Sequence, residues 1–295
     1  MNSTLLAPDL PSTDPQIQRV DDEIERRETI SINDFYREFV SQNRPLILTG
    51  VVSTWPAFGK WNLEFFRTLE SNSPVHLEKG NVLQDETQFE RESFTAYIER
   101  LQSAGGADLD KAYLSVFKIF EEFPELRADV DFSLLDSRKL KSSTVGWIGP
   151  AGTITGYHID WGDNILAQIE GRKQLHLAAP DQTPNMYVSK KFDQGTTISQ
   201  VDLHNVDKDR FPQFLKVKHH QIVLHPGEMI FIPRGWWHHV ESLDTSISVS
   251  NLAYALRDIL VDVVPHRLKQ LLHDVGLWRC ECTCHTMVNG QRVRK

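Results

Sequence analysis

The sequence predicts a mainly β fold, a barrel or double-sheet roll with α/β elements before it and helices after it. Three observations carry this. Between residues 145 and 254, seven short segments rich in β-branched and aromatic residues follow one another, most of them separated by Gly, Pro or Asp. So many short strands suit a closed or double-layered antiparallel sheet, which removes or protects its edges. Before residue 113 and after residue 255, apolar residues recur instead at helical spacing. The 3 cysteines, Cys280, Cys282 and Cys284, stand near the chain's end. No disulfide framework therefore holds the main fold, and any metal chemistry inside it must use nitrogen and oxygen ligands.

Residues 1–28 are polar, contain prolines and lack sustained apolar periodicity, so they read as a mobile lead-in. Ser31 with Asp34 matches a capping box, and Phe35, Phe39 and Val40 follow at helical spacing. A strand is expected at 45–50. Asn62 is placed to cap a helix carrying Leu63, Phe66 and Leu69. Residues 74–79 read as a strand and 93–101 as a helix. Barrel strands are expected at 145–148, 153–160, 164–169, 173–178, 221–224, 229–233 and 246–254. Glu170-Gly171-Arg172 reads as a tight hairpin turn. Residues 180–210 read as a long polar loop over one mouth of the barrel. Leu256, Ile259, Leu260, Val263, Val264, Leu268, Leu271 and Leu272 form an apolar stripe that Pro265 is expected to split into two helices. That pair would pack on the barrel's flank or against a second copy of the chain. The expected organisation is residues 1–28 as a lead-in, 29–255 as the barrel-centred domain and 256–295 as C-terminal helices with a cysteine-rich tail.

The 295 residues carry 32 basic and 40 acidic side chains, a net charge of 32 − 40 = −8. That balance disfavours a nucleic-acid backbone as partner, since phosphate binding is driven by Lys and Arg. A 40% hydrophobic and 24% charged content is that of an ordinary globular protein. No apolar run reaches the ~18 residues that a membrane span needs. The polar opening, with Asp9 and Asp14, does not resemble a signal peptide, and the cytoplasm is the default compartment.

His158-Ile-Asp160 lies on an expected strand, where residues i and i+2 share a face. An imidazole and a carboxylate then project side by side. Alone, such a pair is common by chance. The stretch Pro226-Gly-Glu-Met-Ile-Phe-Ile-Pro-Arg-Gly-Trp-Trp-His238 is more specific. Its Gly227, Pro233, Gly235 and His238 resemble the second motif of the cupin barrels. His239 is the rival ligand, but neighbours on a strand face opposite ways and the spacing selects His238. His158, Asp160 and His238 together make a 2-His-1-carboxylate set, which suits Fe(II) and leaves coordination positions open.

The segments Thr155-Gly-Tyr-His158-Ile-Asp160-Trp-Gly-Asp-Asn164, Gln168-Ile-Glu-Gly-Arg-Lys173 and Trp236-Trp-His238-His-Val resemble the JmjC family. They are most similar to its small hydroxylase branch, that of the factor-inhibiting-HIF-type asparaginyl hydroxylases. The resemblance covers about residues 30–255. It implies a double-stranded β-helix, the jelly-roll or cupin barrel, using Fe(II), 2-oxoglutarate and dioxygen. By the same resemblance Lys173, fifteen residues after His158, binds the distal carboxylate of 2-oxoglutarate. Thr155, Asn164, Asn251 and, on an earlier strand, Tyr113 match further co-substrate contacts. Each has a plain structural alternative: a surface lysine beside a turn, turn-forming Thr and Asn, a packed tyrosine. Thr155 stands three residues before His158, so strict alternation would turn it away. An irregular strand with a bulge near Gly156 is therefore expected.

The resemblance implies hydroxylation of a C–H bond, most readily on a protein or peptide side chain, with release of succinate and CO2. Its alternatives are demethylation through N-methyl hydroxylation, hydroxylation of RNA or a small metabolite, and a cupin metalloenzyme that does not use 2-oxoglutarate. Trp161, Trp236 and Trp237 could shape a substrate cleft or simply pack. Related proteins often dimerise through helices after the barrel, which makes the stripe after Leu256 a candidate homodimer surface. Cys280, Cys282, Cys284 and His285 hold enough soft ligands for zinc. Their spacing is tighter than usual, however, and an exposed reduced tail is the expectation.

Overall fold

The computed structural model describes residues 18–19, 23–82, 88–103, 111–193, 195–278, 280–282, 285–288 and 291–294. Most of the expected lead-in, and Cys284 in the tail, lie outside these residues. The first part contributes β1 (Gln18–Arg19), β2 (Arg26–Arg27), β3 (Leu46–Leu48), β4 (Pro74–Lys79), β5 (Asn81–Val82) and β6 (Gln88–Ser93). The barrel strands are β7 (Leu114–Phe117), β8 (Lys141–Gly149), β9 (Ile154–Asp160), β10 (Asp163–Glu170), β11 (Lys173–Ala178), β12 (Thr196–Ile198), β13 (Lys218–Leu224), β14 (Met229–Ile232), β15 (Trp237–Ser242) and β16 (Ser246–Tyr254). A hairpin of β17 (His285–Val288) and β18 (Gln291–Arg294) follows the C-terminal helix.

Local chemistry starts the helices where expected. Ser31 caps the helix Ile32–Phe35, accepting from the Asp34 N–H at 3.1 Å and donating to its carboxylate at 2.7 Å. Asn62 caps the helix Leu63–Arg67 through the Phe65 N–H at 2.8 Å. The helix Phe94–Ser103 buries Phe94, Tyr97, Ile98 and Leu101 at i, i+3, i+4 and i+7. Phe94 packs among Phe66, Phe117 and Phe123. Truncating such a ring costs about 3–5 kcal/mol.

Two sheets form the barrel. One runs β1-β13-β11-β15-β9-β12 with β5 beside β9, and the other runs β2-β3-β14-β10-β16-β8-β7. Leu175, Leu177, Leu224 and Val240 of the first meet Ile47, Leu166, Ile230 and Ile232 of the second in the core between them. The outer face of the second sheet (Ile165, Ala167, Ile169, Val249, Ala253) packs on the N-terminal helices. The outer face of the first, with Tyr157, Ala178 and Trp237, is covered by Met186, Val201, Leu203, Phe211 and Phe214.

Four expectations are corrected here. Glu170-Gly171-Arg172 is not a hairpin: β10 pairs with β14 and β16, whereas β11 pairs with β13 and β15. Gly171, at φ +70°, carries the chain from one sheet to the other. A turn-forming triplet shows that the chain bends, but it does not specify the next strand's partner. The segment 180–210 is not a loop over a mouth. It packs on the outer face of the first sheet and contributes the edge strand β12 beside β9. Pro265 does not split the last helical run either. Leu256–Asp258, Ile259–Val263 and Val264–Asp274 are continuous, the middle part a π-turn just before the proline, where a missing N–H is tolerated. The described start of the tail is not exposed as expected: Cys280 and Cys282 are partly buried, and the Phe192 N–H donates to the Glu281 carbonyl at 2.8 Å.

Candidate metal centre and anion seat

β9 and β15 are antiparallel neighbours with His238 directly opposite His158, and the two ring centroids lie 4.0 Å apart. Asp160 points to the same face. Its Oδ1 is 3.8 Å from His158 Nε2 and its Oδ2 is 3.5 Å from His238 Nε2. All three residues are buried, and their ligand atoms lie within 4.8 Å of one another. Among the described residues, this is the set of three or more His, Cys, Asp or Glu gathered so closely.

Both rings are oriented from behind. His158 Nδ1 donates to the Gly156 carbonyl at 2.8 Å and His238 Nδ1 to the Trp236 carbonyl at 3.1 Å. A carbonyl only accepts, so each Nδ1 carries a proton and Nε2 is the nitrogen left to face the centre. Burial, reinforced by His158, pulls the His238 imidazole down to about 4 against the opposing pull of Asp160. It is therefore a neutral ligand at physiological pH. Asn164 donates to Asp160 Oδ2 at 2.9 Å, fixing the carboxylate, while its own Oδ1 is buried without a partner.

The expected bulge is present. His238 pairs with His158 and Val240 with Thr155, so Gly156 and Tyr157 of β9 together oppose the single His239 of β15. Thr155 thereby regains the inner face while Tyr157 joins the outer cluster. At this deeper level Lys173 is 1% exposed, and its Nζ donates to the Tyr113 hydroxyl at 2.8 Å. Thr155 hydrogen-bonds the same phenol. No carboxylate pairs with Lys173 among the described residues, and burial pulls its ammonium down to about 7. Burial and then Glu78 push the Tyr113 phenol up, so it stays protonated. A buried lysine with hydroxyls around it and no counter-ion could hold an anion.

Asn251 is not part of this interior. Its Oδ1 accepts from Thr144 at 2.8 Å and its Nδ2 donates to Asp136 at 2.7 Å, on the outer face with Val249 and Ala253. One residue of alternation separates it from Ser250, which faces inward and accepts from Trp147 Nε1 at 2.8 Å. Ser248 shares that inner face, and its Oγ is buried without a partner. The expectation for Asn251 rests only on the family resemblance; the period-two alternation of β16 is the signal that puts Ser248 and Ser250 on the opposite face from it.

His239 faces outward, against Tyr157, His176 and His204. The tryptophans mostly pack: Trp237 Nε1 donates to Thr183 Oγ1 in the outer cluster, and Trp236 Nε1 donates to the Asn43 carbonyl. Trp161 lies edge-on to His266 at 4.0 Å.

Residues 32–252 match the family model described as a cupin-like domain. The chain is 33% identical to lysine-specific demethylase JMJ30 of Arabidopsis thaliana over 236 residues, 77% of this chain and 54% of that protein. It is 33% identical to lysine-specific demethylase 8 of Xenopus tropicalis, over 75% of this chain and 50% of that protein. HSPB1-associated protein 1 of Homo sapiens is 29% identical over 86% of this chain and 55% of its own length. The chain thus spans about half the length of these curated relatives.

Proposed function

The chain belongs to the cupin-like JmjC domain family, and from that premise we propose that it is an Fe(II)- and 2-oxoglutarate-dependent oxygenase that hydroxylates a C–H bond. The observation that carries the reading is the pairing, inside one barrel, of a triad of two imidazoles and a carboxylate with a buried lysine that has no counter-ion among the described residues. The donor set suits the metal: two imidazole nitrogens and a carboxylate would hold a small Fe(II)-like ion while leaving it positions for further ligands. Bound there, iron would supply the activation of dioxygen that couples decarboxylation of 2-oxoglutarate, giving succinate and CO2, to substrate hydroxylation.

The protein's own residues do the rest. His158 and His238 offer fixed Nε2 lone pairs, and Asn164 holds Asp160 so that one carboxylate oxygen faces the ion. Lys173, with Tyr113 and Thr155 beside it, offers the distal carboxylate of the co-substrate a cation in a low-dielectric interior, where the pair is strong. The apolar walls from Leu166, Leu175 and Ile232 exclude water from that interior. Asn251 has no place in the co-substrate site on this reading.

The substrate class in this reading is a protein or peptide side chain. The names of JMJ30 and demethylase 8 favour a second outcome, hydroxylation of an N-methyl group that then leaves as formaldehyde. No helix among the described residues is long and apolar enough to cross a membrane. A cytoplasmic setting, and a homodimer formed through the exposed apolar face of the helix after β16, belong to the same proposal. That face carries Leu260, Val264, Leu268 and Leu271, each more than half exposed.

The test is incubation of the purified protein with Fe(II), 2-oxoglutarate and cell extract, followed by mass spectrometry. Products heavier by one oxygen atom, dependent on 2-oxoglutarate and lost in His158→Ala, are expected. A protein that does not bind 2-oxoglutarate and is unaffected by His158→Ala sinks the proposal. Formaldehyde from methylated peptides selects the demethylation outcome.

A further inference from the structure

Arg234 stands between the motif that ends in His238 and the C-terminal helix. It occupies the turn Pro233-Arg234-Gly235, where Gly235 adopts φ +88°. Its backbone N–H donates to Asp163 Oδ1 at 2.8 Å, and Asp163 Oδ2 accepts from Lys139 at 2.5 Å. Asp163 directly precedes Asn164, whose amide holds Asp160. The guanidinium reaches the opposite way. It pairs with Asp262, and its Nε is 3.5 Å from Asp258 Oδ1. Asp258 Oδ2 in turn accepts the Ala255 N–H at 2.8 Å at the start of that helix.

The charges alternate along this line: Lys139, Asp163, Arg234, then Asp258 and Asp262. One end is buried, with the Lys139 and Asp163 side chains 7% and 11% exposed. The other end is partly open, with Arg234 and Asp262 31% and 26% exposed. The line touches both arms of the metal centre. It meets the turn that delivers His238 and the strand whose Asn164 fixes Asp160. A coordination set works only when its ligands are held within about 0.5 Å of productive geometry. A glycine-containing turn with φ +88° does not supply that rigidity by itself.

We propose that Arg234 is a positioning residue through which the C-terminal helix sets the metal centre, so that metal affinity depends on the Arg234–Asp262 contact. The inference rests on the metal-centre reading above. The helix, when seated, pins the guanidinium. The guanidinium's backbone then stays on Asp163, and His238 and Asp160 stay in register with His158.

The test is calorimetric titration of the full chain with Co2+, an air-stable stand-in for Fe(II), well below the unfolding temperature. Arg234→Gln keeps the backbone bond to Asp163 and removes only the guanidinium. It is expected to weaken Co2+ binding by about tenfold, as loss of a supporting contact does. Asp262→Asn should weaken it in the same direction but by less, and Arg234→Lys should recover part of the loss. Raised ionic strength should weaken binding to the wild type more than to Arg234→Gln, because the outer end of the line is open to screening. If Arg234→Gln does not fold, Asp262→Asn decides alone. Variants that bind Co2+ as tightly as the wild type overturn the inference while leaving the metal centre standing. A wild type that takes up no Co2+ overturns the metal-centre reading and this inference with it.

Discussion

Lys173 Nζ donates to the Tyr113 hydroxyl across 2.8 Å inside the barrel, and that neutral contact is what the ammonium has in place of a counter-ion. Burial without a counter-ion makes the ammonium costly to the ligand-free protein, and a bound carboxylate would offset that cost.

Stability should record that. An unfolded lysine titrates near ~10.4, and burial brings this one to about 7. Between those values the unfolded chain binds more protons than the folded one, so stability should rise as pH rises from about 7 to about 10. Lys173→Met should remove that slope, stabilise the ligand-free protein at pH 7 by about 1–4 kcal/mol and abolish 2-oxoglutarate binding. Chemical denaturation across pH, with calorimetry for the ligand, checks all three. A less stable Lys173→Met that still binds 2-oxoglutarate would refute the anion seat.

Asn164→Ala should leave the fold intact and weaken metal binding about 10–100-fold, because Asp160 loses the donor at 2.9 Å that fixes its rotation. Metal titration against a competing chelator measures the loss. Unchanged affinity would mean that the strand alone orients the carboxylate.

Gly171→Ala should destabilise the protein by about 3 kcal/mol or more. An added Cβ would sit 2.1 Å from the Thr245 carbonyl oxygen, at a φ of +70°. Urea unfolding reads this directly. A cost below about 0.5 kcal/mol, the range of ordinary surface changes, would show that the sheet crossing can rearrange.

Leu268→Arg, in the middle of the exposed apolar face, should convert a dimer to a monomer without altering the circular dichroism of the barrel. Light scattering coupled to size exclusion gives the mass. A wild type already monomeric at micromolar concentration removes the dimer from the reading.

The sequence made some of this legible because single residues carry it. Ser31 and Asn62 announce their helices by cap chemistry. The count of three residues from Thr155 to His158 demands the bulge that β9 contains. What stayed hidden depends on which strand meets which. The bend at Gly171 is local, but its crossing between sheets is set by partners more than fifty residues away in β14 and β16. Asn251, expected among the co-substrate contacts by resemblance alone, could not be checked from the strand pattern for a related reason. β16 is buried on both sides over most of its length, so no polar–apolar contrast marks which alternate residues look inward. The helix after β16 shows the opposite error. Its apolar stripe was plain, but a π-turn before Pro265 leaves it unbroken.

The sheet crossing at Gly171 also makes the barrel a ruler. In β11, Leu177 lies opposite His238 and Lys173 lies opposite Ser242. The metal row and the lysine row are therefore four residues apart on one strand, about 13 Å of backbone at ~3.3 Å per residue. Because pleat parity admits only even steps, that interval cannot be adjusted by one residue without turning Lys173 out of the interior. On the proposed function, that interval, less the reach of the Lys173 side chain, sets the length of diacid that can touch both ends.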